Sequence, residues 1–180
     1  MIGQHQGFLQ KLGEVKENPI RIDRGVAKQI SDGLNVLLAN VYTLYHQIKK
    51  HHWVVEGPDF RDLHLLLDEL AAHLLKIADE VAERITVLAA YPISTPKKQQ
   101  DMSVFRVEEE GVFPLRTMLS NDMRAYQEII VRYRDMIRFA NQVFDFGTEQ
   151  MLKEQIVLLE MDVHHLEHVL GEDTLSMIGK

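Results

Sequence analysis

Cysteine is absent from this 180-residue chain, which excludes disulfides and thiolate metal sites. A site of imidazoles and carboxylates suits copper(I), which wants thiolates or thioethers, poorly. Glycine and proline are sparse, at 10 and 5 residues, so long stretches run without a helix breaker. No apolar run is long enough to span a bilayer, and no continuous hydrophobic signal opens the chain. A soluble cytoplasmic protein with no membrane partner is the expectation. Positive charge is also in deficit: 20 Lys and Arg stand against 27 Asp and Glu, for a net charge of -7. Nonspecific DNA affinity comes chiefly from Lys and Arg on phosphates, so this balance argues against a strongly DNA-binding surface and favours the handling of cations.

Hydrophobic residues make up 46% of the chain, enough for the core of one domain. Helix-favouring composition points to an all-α bundle. Residues 1–22, with Gly3, Gly7, Gly13 and Pro19 among scattered charges, read as a flexible N-terminal arm. The bundle is expected over 23–171, followed by a short C-terminal tail, 172–180. Helical spacing of apolar residues predicts helices from Arg24 to Val54, Phe60 to Ala89, Pro114 to about Val143, and Thr148 to Leu170. Between the second and third lies a crossover, residues 90–112, with a short helix in its middle. His46 and His51 are expected to be ordinary surface or packing residues. Methionines on the third helix are expected to fill core space.

The informative stretch is 52–83. Taking His64 as zero and about 100° per residue, Asp68 falls near 40°, Asp79 near 60° and Glu83 near 100°, all on one stripe of the second helix. Asp68 and Asp79 are about 16 Å apart along one helix, too far to share an ion. A second copy packed antiparallel about a two-fold axis between His73 and Leu74 resolves this. Position i then faces position 147 minus i, so His64 meets Glu83 and Asp68 meets Asp79. Ala71 and Ala72 beside that axis are small enough for close approach. His52 can fold back towards His64, giving two imidazoles and three carboxylates, a set suited to iron, manganese or zinc. His73 lies about 130° from the centre of the stripe, away from this centre.

His52-Trp53, Gly57, Phe60, Leu63-His64, Asp68-Glu69, Asp79 and Ala82-Glu83-Arg84 resemble the signature of the Dps proteins, the mini-ferritins that protect DNA in starved or oxidatively stressed bacteria. The spacing from His52 through His64, Asp68 and Asp79 to Glu83 matches without a gap. The resemblance implies a ferritin-like four-helix bundle and a hollow homo-dodecamer built from two-fold dimers. It implies a ferroxidase centre to which one subunit gives His52, His64 and Asp68 and its neighbour gives Asp79 and Glu83, with Trp53 beside it. Iron, Fe(II) oxidised to Fe(III) by hydrogen peroxide or O2 and stored as mineral, is the implied cargo, with zinc as an alternative occupant. Nucleoid association belongs to the same expectation. The lysine-rich arm that often carries DNA binding in these proteins is replaced here by mixed charge, Lys11, Lys16 and Arg21 against Glu14 and Glu17, which counts against DNA association.

The cluster His164, His165 and His168 departs from the family pattern. His164 and His168 are four apart on one helix face, a spacing that can bind a transition metal or supplement the ferroxidase centre. A surface histidine patch is the plain alternative. The resemblance implies acidic pores that admit iron near three-fold axes, to which Asp145 and Glu149 at the start of the last helix would contribute; helix capping explains the same residues. Two other functions suit an all-α metal-binding bundle. A di-iron oxygenase bundle uses Glu-x-x-His motifs, and no Glu in this chain has His three residues later. A DNA-compacting structural protein with a weak or zinc-occupied metal site is the second, and the net charge opposes it.

Overall fold

The computed structural model describes residues 7–171. Five helices form, with no strand among the described residues: α1 (Arg24–Val54), α2 (Phe60–Val87), a short α3 (Pro96–Met102), α4 (Leu115–Gln142) and α5 (Phe146–Leu170). The four long helices make the bundle, and α3 packs on the outside of α1. The tail 172–180 and residues 1–6 lie outside the described residues.

Each helix begins or ends for a local reason. Asp23 caps α1, its carboxylate accepting from the Gly25 and Val26 amides at 2.8 and 3.1 Å. Asp145 caps α5 by accepting from the Thr148 amide at 3.0 Å. The α1–α2 turn passes through Gly57 at φ +105°, backbone that a Cβ would strain. Leu and Ile at helical spacing fill the interior: Leu34, Leu37, Leu44 and Ile48 of α1 meet Leu67, Leu70, Leu74 and Ile77 of α2 in one core, each nearly or fully buried. Tyr126 and Tyr133 of α4 and Leu152, Leu159 and Leu166 of α5 complete it. Each such side chain contributes about 1.5–3 kcal/mol.

Helix directions follow from side-chain pairs. Gln47 and His51 of α1 meet Asp122 of α4, and a Cβ on Gly33 would collide with Met136, so α1 and α4 are antiparallel. His73 meets Asp162 and Arg84 meets Thr148, so α2 and α5 are antiparallel as well. α2 and α4 therefore run the same way, which a short loop cannot connect; the crossover must traverse the length of the bundle. Polar residues on α1 hold it there. Asn35 accepts from the Ile93 amide at 2.8 Å, Asn40 from the Val104 amide at 2.8 Å, and Gln47 from the Glu108 amide at 3.2 Å.

The segment read as a free arm is attached in part. Val15 and Asn18 are buried, the Lys16 amide donates to Ala89 O at 3.1 Å, and Arg24 Nε donates to Val15 O at 2.7 Å. Residues 10–18 thus rest on the end of α2.

Candidate metal centre

His52 closes α1 and His64 lies in the second turn of α2, and the Gly57 turn brings them face to face. Their rings stack with centroids 3.8 Å apart and planes 22° from parallel. His52 Nδ1 donates to His64 O at 2.9 Å, and His64 Nδ1 donates to His52 O at 2.9 Å. A carbonyl oxygen only accepts, so each Nδ1 carries the hydrogen and each Nε2 keeps its lone pair. Both imidazoles are thereby fixed in the tautomer and orientation that a metal ligand needs, by backbone of the opposite helix. Phe60 packs on His64 with ring centroids 5.0 Å apart.

Asp68 lies one turn beyond His64, with Oδ1 3.8 Å from His52 Nε2. Its carboxylate also accepts from Lys49 Nζ at 2.8 Å. That hydrogen bond and the charge of Lys49, reinforced by the two imidazoles, hold the Asp68 carboxyl below its usual 3.8. Lys49 was not anticipated. It sits one turn before His52 on the same side of α1, which is the signal that would have found it.

Asp79 and Glu83 sit further along the same stripe, both exposed, and neither carboxylate is paired among the described residues. Between the two halves of the donor set the stripe carries Ala72, exposed, and Leu75, 42% exposed, with Leu65, 57% exposed, beside His64. Ala71, expected to share this surface, is instead buried in its own subunit. No group of three or more metal-binding side chains converges among the described residues of one copy. The helix keeps Asp68 and Asp79 about 16 Å apart.

His164 and His168 meet each other, rings edge to face with centroids 4.3 Å apart, and both are exposed. They do not meet His52 or His64. α5 packs on the face of α2 that carries His73, about half a turn round from His64. Trp53, 71% exposed, stands on the last turn of α1 and lines a groove with His46, Lys50, Val107 and Val112. Asp145 is buried, its carboxylate engaged by Arg84 at 2.5 Å and by Thr148, while Glu149 accepts from Asn141 and pairs with Lys153. Helix capping accounts for Asp145.

Of the surface and packing readings, His51 takes the second. It is fully buried, with Nδ1 2.7 Å from Asp122 Oδ2 and Nε2 2.7 Å from Glu108 Oε1. The second is a close contact without hydrogen-bond alignment. Burial pushes the Asp122 carboxyl up, against the opposing pull of His51.

The sequence profile of the ferritin-like domain matches residues 31–176. The chain is 47% identical over 168 residues, 93% of its length and 92% of the relative's, to a DNA protection during starvation protein of Halobacterium salinarum. The chain belongs to the Dps branch of the ferritin-like family. Among solved Dps structures it superposes with a TM-score of 0.92 on the archaeal Dps homologue of Halobacterium salinarum, at 45% identity, covering 94% of this chain and 95% of that one. It also superposes with a TM-score of 0.82 on the Dps protein of Vibrio cholerae O1, at 25% identity, covering 88% and 99%. That protein is described as a member of a broad superfamily of ferritin-like diiron-carboxylate proteins. The all-α ferritin-like bundle with its long crossover is the Dps fold.

Proposed function

We propose that this Dps protein is a ferroxidase that oxidises Fe(II) with hydrogen peroxide or O2 and stores Fe(III), at centres shared by two copies of the chain. The observation that carries the reading is the reciprocal lock of His52 and His64, which aims two free Nε2 lone pairs beside Asp68 while Asp79 and Glu83 wait unpaired on the same stripe. With α2 antiparallel to its copy about an axis between His73 and Leu74, His64 faces Glu83, Asp68 faces Asp79, and Ala72 faces Leu75. Small and aliphatic side chains at the axis suit a dry, close contact. The two-fold dimers build a dodecamer, as in other Dps proteins.

Imidazole with carboxylate fits Fe(II), and hard carboxylate oxygens favour Fe(III), which lowers the barrier to electron loss. Each Fe(II) gives up one electron. Hydrogen peroxide takes two electrons and two protons, its O–O bond breaks, and two waters leave, so no hydroxyl radical forms. Within the chain, His52 and His64 bind and orient the iron, Asp68 neutralises its charge, and the partner's carboxylates close the site.

Complementation tests the shared centre. His64→Leu and Asp79→Asn each disable both centres of their own dimer, but a mixed dimer regains one intact centre out of two. Random pairing after dissociation and reassociation of equal amounts therefore restores about a quarter of wild-type oxidation, because half the dimers are mixed and half their centres are whole. No recovery in confirmed mixed dimers would overturn the shared site.

A further inference from the structure

A second cluster lies on the other side of α2. His73 Nδ1 is 2.9 Å from Asp162 Oδ1 on α5, and Asp162 accepts from the Tyr126 hydroxyl on its other oxygen at 3.1 Å. Asp162 is fully buried and Tyr126 is fully buried, whereas the His73 side chain is 26% exposed. The carboxylate accepts from both neighbours, so His73 carries its hydrogen on Nδ1 and turns the Nε2 lone pair outward. A buried carboxylate behind a half-exposed imidazole is the arrangement that holds metal-binding histidines in place. His51 has the same kind of partner in Asp122, but it is fully buried, whereas His73 keeps part of its ring at the surface. Burying Asp162 costs free energy, as the upward shift of its carboxyl by burial shows.

The outward nitrogen has a companion. Glu69, one turn earlier on α2 and exposed, places Oε1 4.0 Å from His73 Nε2. An ion at bonding distance of about 2.1 Å from each donor spans that separation with a wide ligand angle.

We infer that Glu69 and His73 form a second cation site, separate from the stripe of α2 that carries His64, Asp68, Asp79 and Glu83, which takes a divalent first-row transition ion with water completing its coordination. Asp162 is its positioning residue, with Tyr126 behind it. Two protein donors make a weak site, suited to an ion in passage rather than to a permanent one. The site does not depend on the ferroxidase reading, since none of its donors belongs to that set.

The test uses Co(II) alone. Crystals of the full chain are soaked, and anomalous scattering at the cobalt edge is mapped for the wild type and for His64→Leu/Asp68→Asn, which disables the other centre. The expected result is a peak between His73 Nε2 and Glu69 in both, lost in His73→Leu and in Glu69→Gln. Glu69 is a surface residue, so its substitution leaves folding intact even where that of His73 does not. In solution, Asp162→Asn lowers Co(II) affinity at this site by about 10- to 100-fold. Absence of the peak from the wild type, or its persistence in Glu69→Gln with His73 also replaced, overturns the site. A cobalt affinity unchanged by Asp162→Asn overturns the positioning role.

Discussion

Lys49 is the residue whose effect is least obvious from its charge alone. It pairs with Asp68, a proposed iron ligand, through a contact of 2.8 Å. At neutral pH Asp68 is ionised with or without it, so the lysine competes with a cation more than it prepares the carboxylate. Lys49→Gln is expected to raise the affinity of the first Fe(II) or Zn(II) by about threefold, the scale of an exposed ion pair; calorimetric titration of apoprotein would read it. Weaker binding would mean that Lys49 acts by orienting Asp68. The pH sign is fixed by the same contact. Because the folded-state value of Asp68 is lowered, the stability it contributes is complete above the usual carboxylate range and is lost as pH falls below 3.8. Thermal melts of Lys49→Gln should therefore differ from wild type above that range and converge with it in strong acid.

At the scale of elements, α1 carries more instruction than its apolar pattern suggests. Asn40, Gln47 and His51 share one buried face and bind the crossover or α4. Asn40 Oδ1 accepts from both the Val104 amide and the Ser103 hydroxyl, so Asn40→Ala leaves two donors without their partner. A loss of about 1–3 kcal/mol is expected. Faster amide exchange confined to residues 103–108 would confirm that the crossover has been released, whereas uniform loss of protection would place the effect in the core. These polar positions also explain what was legible beforehand. The long helices were readable because Leu and Ile repeat at helical spacing over three to four turns at a time, and α1 runs from Arg24 to Val54 as the spacing predicts. The role of His51 was not readable. Its partners Asp122 and Glu108 are distant in sequence, and nothing in a local pattern distinguishes a histidine clamped between carboxylates from one in solvent. The same holds for His73, whose partner Asp162 is 89 residues away. The attachment of residues 10–18 to α2 was hidden too, because it rests on backbone groups and on the Gln10 and Arg24 side chains reaching backbone carbonyls, which follow no local pattern.

For the whole molecule, the proposed two-fold pairing makes the exposed stripe of α2 the contact between two copies. Ala72 is exposed in a single copy and would lie beside the two-fold axis. Ala72→Arg is expected to leave far-UV dichroism unchanged, to shift the species seen by light scattering towards monomer, and to abolish ferrous oxidation with it. Full-size assembly in that variant would remove the antiparallel α2 contact from consideration. The surface charge sets a second expectation. With -7 net, the assembled protein should give little or no retardation of duplex DNA at physiological salt, and any retardation should vanish steeply with added salt.

The crossed bonds between the two stacked rings at the α1–α2 turn have a thermodynamic corollary. Deleting either ring leaves that residue's carbonyl in place, so the surviving imidazole keeps its Nδ1 hydrogen bond and loses only the ring stacked on it. His52→Ala and His64→Ala should therefore each remove one nitrogen donor, and the double variant should lose distinctly more metal affinity than either single one. Equal losses in all three variants would show that neither ring binds without the other.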